Sequence, residues 1–477
     1  MGLVLILLPA VMAALAFAVP SNRWRPYLLP VTGTAHLTLT FLTLNHPEWT
    51  IVLDWLVLDA LGKVVLLCVS TLFFFCSFYA VGYLHHVIER SNRIFVSCLA
   101  GFLGILSLVV QAHHLGLLWI AIEATTLITA PLIYFNHTKL SIEATWKYLL
   151  VGSVGIALAL LGTFFLAFSA VQGGLPASLS WEDLLRAGSH LSKPWLRAAF
   201  ILLLVGYGTK MGLAPMHSWK PDTYGESPGV VGAIFAGGVT SAAFLALLRV
   251  YQICQAAGEG AFVSQLLLVM GILSMAVAGM FMIGQRDMKR MLAYSSVEHM
   301  GILVLGLGIG KTAFFGTILH VVNNTMAKGV LFLSAGNIQR AFGSKNTSDL
   351  SGAIRRLPIS GSLFLVGFLA ITGSPPFAPF VSEFAILNGA MDAGKYLIAG
   401  LFLFLLLVVF IGMGKTVLGI VQGQIPATIK DTGYHDNVLT AAPVLALMAL
   451  VLLFGLYLPA PLGRLIHEAA YALENPS

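Results

Sequence analysis

Fourteen apolar stretches, each close to the length needed to cross a lipid bilayer, divide this sequence end to end. They run over 2–19, 27–44, 64–84, 94–112, 115–135, 148–170, 198–219, 229–252, 262–284, 292–310, 312–338, 359–390, 396–420 and 438–460. About 20 apolar residues span the hydrocarbon core as a helix. Water is absent there, so every backbone amide must be satisfied internally. The prediction is an all-α polytopic membrane protein of about 14 transmembrane helices, numbered here as spans 1–14. Only 10% of the 477 residues are charged, against about a quarter in soluble domains, so no large soluble domain fits between the spans. The first run has no basic segment before it and reads as a retained span, not a cleaved signal peptide. The weakest boundary is Gly310-Lys311 between spans 10 and 11.

The same composition excludes several functions. The four cysteines (Cys68, Cys76, Cys98, Cys254) are scattered and form no CxxC, which suits small buried residues better than a disulfide, a metal site or an iron–sulfur cluster. No glycine-rich nucleotide loop is present. The net charge of +6 reads as orientation, not nucleic-acid binding. Arg23, Arg25, Arg90, Arg93, Lys139, Lys147, Lys220, Arg286, Lys289, Arg290, Arg340, Lys345, Arg355, Arg356 and Lys430 fall in one set of loops. Lys63, Arg186, Lys193, Arg197, Lys311, Lys395 and Arg464 fall in the other. The more basic side is expected to be cytoplasmic, which places both termini on the non-cytoplasmic side. Lys210, Arg249, Lys328 and Lys415 lie within spans.

Two spans are interrupted. Span 7 carries Lys210-Met-Gly-Leu-Ala-Pro215, and span 12 carries Thr372-Gly-Ser-Pro375-Pro376-Phe-Ala-Pro379. Proline lacks an amide hydrogen and clashes with the carbonyl four residues back, so Pro215, Pro375 and Pro376 are predicted helix breaks. The breaks are five spans apart. Because five is odd, a five-span unit repeated in tandem inserts upside down the second time. Spans 4–8 and 9–13 are therefore expected to be inverted repeats, a pattern that marks ion sites in transporters. The domain boundaries that follow are 1–92 (three helices), 93–255 (first repeat), 256–425 (second repeat) and 426–477 (last helix and tail).

Ionisable residues inside the membrane are costly, by about 2.5–3.5 kcal/mol at a helix centre, and so need a function. The proton-pathway candidates are Glu123 on span 5, Lys210 beside the first break, His320 and Lys328 on span 11, and Glu383 after the second break. Thr126 shares a helix face with Glu123. His320, Asn324 and Lys328 recur every four residues and form one stripe, and histidine titrates near neutral pH. Glu143 and Lys147 form an i, i+4 pair that suits an interfacial salt bridge as well as a pathway. His217, Asp222 and Glu226 follow the first break, where they either brace it or join the path. Glu298 and His299 at the start of span 10 remain open between the two roles, and Lys415 reads as a snorkelling interface residue. No catalytic residue and no metal site is assigned.

The stretches His217-Ser-Trp-Lys-Pro-Asp222 with Glu226-Ser-Pro, Lys289-Arg-Met-Leu-Ala-Tyr-Ser-Ser296 and Gly373-Ser-Pro-Pro-Phe-Ala-Pro-Phe-Val-Ser-Glu-Phe384 resemble the antiporter-like membrane subunits of respiratory complex I, Mrp antiporters and membrane-bound hydrogenases. Glu143-Ala-Thr-Trp-Lys-Tyr148 and Ser295-Ser-Val-Glu-His-Met300 are most similar to the large membrane subunit of hydrogenase-4 and formate-hydrogenlyase complexes. The resemblance implies fourteen helices with helices 7 and 12 broken. It implies proton translocation driven by redox chemistry in neighbouring subunits. It also implies matching roles for Glu123, Lys210 and Glu383. The sequence departs from that pattern at Ser241, where many relatives carry a lysine on helix 8, and at Lys220, where relatives usually have an apolar residue.

The expected function is a proton-translocating, antiporter-like subunit of a multi-subunit membrane redox complex. Its expected partners are other membrane subunits and a peripheral arm of Fe–S and NiFe subunits, in the cell's inner membrane, with no cofactor in this chain and no nucleic acid. The alternatives are an Mrp-type cation/proton antiporter without redox input, a pump-derived scaffold weakened by Ser241, and a haem or quinone subunit using His113, His114, His299 or His320.

Overall fold

A computed structural model describes residues 1–427 and 429–475. Ten helices are individually long and apolar enough to cross a membrane. They are spans 2–6, 8–10, 13 and 14. The four other predicted spans are also helical: span 1 (Gly2–Ala18), the broken span 7, span 11 (Lys311–Phe342) and the broken span 12. The doubtful boundary is real. Span 10 (Met288–Ile309) stops at Gly310, whose φ of 107° suits a residue without a side chain, and span 11 starts at Lys311.

Both breaks have the same backbone design. The first half of span 7, here 7a, runs Lys193–Met211, and the second half, 7b, runs Trp219–Glu226. Met211 lies four residues before Pro215 and is the residue whose carbonyl the proline ring would strike if the helix continued. At the end of 7a the amide of Leu213 donates to Gly208 O (2.8 Å) and that of Gly212 to Thr209 O (3.0 Å), with Gly212 at φ 77°. This is a Schellman end. Span 12 repeats it between 12a (Pro358–Ile371) and 12b (Ala378–Asp392). Ser374 N donates to Leu369 O (3.0 Å), Gly373 N to Ala370 O (3.3 Å), and Gly373 has φ 69°. The register that places Gly212 on Gly373 also places Pro215 on Pro376 and Asp222 on Glu383. Ala214–Pro215 and Pro375–Pro376 are both cis.

The core lies where the repeats meet. Span 8 is buried along its most apolar stretch and contains a π-helical turn, Phe235–Val239, between Gly229–Ile234 and Thr240–Ala256. Span 11 packs against spans 3, 10, 12 and 14. Spans 6, 9 and 13 expose large apolar side chains such as Leu150, Met280 and Leu407, as a lipid-facing surface does.

Three features depart from the sequence reading. The tail after span 14 (Val438–Leu456) forms an amphipathic helix, Ala460–Glu474, which buries Leu462, Ile466, Ala469, Ala470 and Leu473 against spans 3 and 11. A small hairpin pairs Ile51–Leu53 with Leu56–Val57 and holds the only strands among the described residues. Lys220, expected in a basic loop, lies inside the bundle with no exposed surface, because 7b folds back into the protein. It therefore leaves the set of loop cations. The more basic side still has the greater number.

Candidate proton-conducting axis

The first cluster surrounds the end of 7a. Lys210 is 2% exposed. Its Nζ donates to Thr126 Oγ1 (2.7 Å) and Tyr148 Oη (3.0 Å), and the Thr126 hydroxyl donates to Glu123 Oε2 (3.0 Å). Glu123 and Lys210 are thus joined through a hydroxyl and not by the direct pairing expected. An ammonium–hydroxyl–carboxylate row is a ready path for a proton, since each group donates to the next. Tyr148 Oη lies 2.8 Å from Thr129 Oγ1, whose own hydrogen goes to Thr125 O (2.6 Å), so the tyrosine donates there. Glu123 is only half-buried and also accepts from the exposed Ser153 (3.4 Å). This end of the row opens to the outer face of the chain.

The second cluster joins spans 10, 11 and 12b. Lys328 Nζ donates to Ser295 Oγ (2.6 Å), within electrostatic reach of Glu298 and Glu383. Glu298 is buried and is a third membrane carboxylate beside Glu123 and Glu383. His299 Nδ1 lies 3.0 Å from His320 Nε2, and His320 Nδ1 lies 2.9 Å from Ser382 Oγ. Asn323, not Asn324, completes this group, donating to Ser382 Oγ (3.1 Å) and Ala378 O (2.7 Å). Asn324 is fully buried with neither side-chain polar atom partnered by protein. Glu383 Oε1 also has no protein partner, and Gly373 packs so closely on Oε2 that a side chain there would overlap it.

His299, His320 and Glu383 present donor atoms that all lie within 4.8 Å of one another, a grouping the sequence reading did not assign to a metal. The two imidazoles already share a hydrogen bond, and Lys328 lies within electrostatic reach of both. The shared bond also leaves no space for a haem between His299 and His320.

Between the clusters, Ser241 donates to Gly237 O in the π turn of its own helix (2.7 Å) and links nothing. Lys220 fills the interval. Its Nζ donates to Met211 O (2.6 Å), the carbonyl freed by the break, and lies 3.4 Å from Ser296 O.

The remaining candidates form a clamp at the more basic end. Lys147 bridges Glu143 (2.6 Å) and Asp222 (2.8 Å), Asp222 also pairs with Arg290, and Lys345 bridges Glu226 (2.5 Å) and Asp287 (3.0 Å). These pairs tie 7b to spans 6 and 10 and to the loop after span 11. His217 packs beside Phe281 and Tyr294. Lys415 is exposed on span 13. The sequence reading missed Tyr148, Ser295, Asn323 and Ser382 as pathway groups. The i, i+3 spacing of Thr126 from Glu123 was its one visible signal among the bridging hydroxyls.

Known proteins show the same architecture. The chain is 33% identical over 416 residues to a hydrogenase-4 component F homolog of Methylacidiphilum infernorum, covering 85% of this chain and 86% of that protein. It is 31% identical over 446 residues to NADH-quinone oxidoreductase subunit 14 of Thermus thermophilus, covering 91% and 95%. A chain of respiratory complex I from Thermus thermophilus superposes with a TM-score of 0.78 at 25% identity, over 96% of this chain and 97% of that one. Residues 112–410, from the start of span 5 into span 13, match the family described as NADH:quinone oxidoreductase/Mrp antiporter, TM. With helical segments at all fourteen predicted spans, spans 7 and 12 broken, and this match over more than half its length, the chain belongs to that family as an antiporter-like, multi-pass membrane subunit.

Proposed function

We propose that this chain moves protons across the membrane along the axis from Glu123 through Lys210 to Lys328, His320 and Glu383, driven by redox chemistry in partner subunits. The observation that carries the reading is the pair of clusters of ionisable groups inside the bundle, each joined internally by hydroxyls. Nothing else in the fold gives so many buried charges a purpose. The half-exposed Glu123 is the point at which a neighbouring membrane subunit acts. A charge or helix shift there weakens Glu123's hold on the Thr126 hydroxyl, releases the Lys210 proton towards spans 10 and 11, and resets when Glu123 re-engages. The partners in this reading are further membrane subunits and a peripheral Fe–S arm of the hydrogenase type. The chain lies in the inner membrane with its more basic loops in the cytoplasm and both termini opposite, and it holds no cofactor of its own.

The test is proton uptake by liposomes containing the intact complex with Lys210→Met. Pumping per electron falls at least tenfold on this reading. Undiminished pumping in a fully assembled complex overturns it. The family description covers Mrp antiporters too. A complex that exchanges Na+ for H+ without any electron donor would establish that second reading.

A further inference from the structure

We infer that Lys220 is the proton carrier joining the two halves of the axis, a role that rests on the function proposed above. Four observations place it there. It is wholly buried and at the crossing between clusters. Its Nζ touches Met211 O, one residue from Lys210, and faces Ser296 O, one residue from the Ser295 that holds Lys328. No ion pair neutralises it among the described residues. Finally, two hydroxyl-bearing residues lie beside it, Tyr224, whose ring faces its Nζ, and Ser296, and their hydroxyls interact with each other. A hydroxyl that both donates and accepts is what a buried lysine needs to exchange protons with groups it does not touch.

The groups facing Lys220 fix the direction of its chemistry. Tyr224 of 7b offers its ring at 5.7 Å. Lys328 of span 11 acts on it as a like charge, and Lys220 in turn acts on His299 of span 10 and His217 of the break. The carboxylates of Glu298 and Glu383 act on Lys328 instead. A proton arriving at Lys220 therefore favours release from Lys328 towards His299, His320 and Glu383, because like charges repel strongly where water is scarce. Between lysines an ammonium gives its proton to a neutral amine through a bridging hydroxyl or water, and from Lys328 the proton passes to an imidazole or a carboxylate. The donor keeps the electron pair and the acceptor gains the proton, so no electron is exchanged.

A purely structural role competes with this. Lys220 caps the C-terminal end of 7a, where a cation and a donor are both favourable. Lys220→Gln separates the roles, since a neutral amide still donates to Met211 O but cannot carry a proton at neutral pH. Lys220→Met removes both. In the intact complex in liposomes, the inference expects both variants to lose at least tenfold in protons moved per electron, with only the Met variant lowering the thermal midpoint. Normal pumping by Lys220→Gln overturns it and leaves the cap. If the Gln variant does not assemble, Lys220→Arg replaces it, keeping donor and charge but never releasing its proton, with the same tenfold criterion. Loss in Lys210→Met with retention in Lys220→Gln refutes this inference alone. Retention in both refutes the proposed function itself.

Discussion

Thr126→Val tests whether Glu123 and Lys210 work as a pair. Valine has nearly the shape of threonine and leaves the packing of spans 5, 6 and 7 intact, while deleting the one hydroxyl between them. Thr126 is fully buried, 2.7 Å from Lys210 Nζ and 3.0 Å from Glu123 Oε2. Each hydrogen bond involves a charged partner, a class that contributes about 1.5–3 kcal/mol. Lys210 retains Tyr148 Oη at 3.0 Å and Glu123 retains Ser153 at 3.4 Å, so the loss is partial. A rise of roughly 3 kcal/mol in the transfer barrier slows the step about 100-fold. The measurement is initial proton flux against electron turnover in liposomes, for Thr126→Val, Glu123→Gln and the double variant. If Thr126 acts only by joining the two charges, the double variant is no slower than the worse single one. Thr126→Ser keeps the hydroxyl and serves as the control. Wild-type flux in Thr126→Val, or losses that multiply in the double variant, would refute the argument.

Two further predictions concern the opposite end of the fold. Arg249 is fully buried, donates to Ala112 O and to Val110 O (2.8 Å), and lies 3.5 Å from Asp59. Arg249→Met leaves both carbonyls and the carboxylate without it and should cost about 3–5 kcal/mol, read as a lower thermal midpoint in detergent; an unchanged midpoint would contradict the buried pairing. His113, in the turn between spans 4 and 5, has its pKa lowered from 6.5 to about 4, first by burial and then by Arg249, against a smaller upward pull from Asp59. The folded state thus binds fewer protons than the unfolded state between those values. Stability is full above pH 6.5 and is lost as pH falls towards 4, by up to about 3 kcal/mol. The acid slope of the midpoint should flatten in His113→Asn, and an identical slope would refute it.

The spans were legible because each apolar run must satisfy its own backbone, which leaves helix as the one outcome. The break in span 7 was legible from Pro215, and the structure ends 7a at Met211, whose carbonyl the proline ring would strike. Side-chain partners were not. Lys220 sits among Trp219, Pro221 and Asp222, a polar run that reads as a loop until 7b is seen folding inward. The choice between Asn323 and Asn324 depends on the rotation of span 11 about its axis, and adjacent residues differ there by about 100°. The helix Ala460–Glu474 carries its apolar residues at helical spacing but is too polar to register as a span. Ser295, Ser382 and Tyr148 matter because of what lies across from them, and no local pattern encodes that.

The two breaks show why position alone does not assign chemistry. The register that aligns Gly212 with Gly373 places Asp222 and Glu383 at the same point of the two repeats, each a carboxylate just inside the second half-helix. Asp222 is held by Lys147 and Arg290 at the more basic end, and these pairs brace 7b. Glu383 is 4% exposed, has one oxygen without a protein partner and lies against the backbone of Gly373. Lys328 lies within electrostatic reach of this carboxylate. Inversion of the repeat puts one of these equivalent positions beside basic loops and the other against span 11. The first repeat then needs a different carrier in its second half-helix, and Lys220, two residues before Asp222 and turned inward, is the group that stands there.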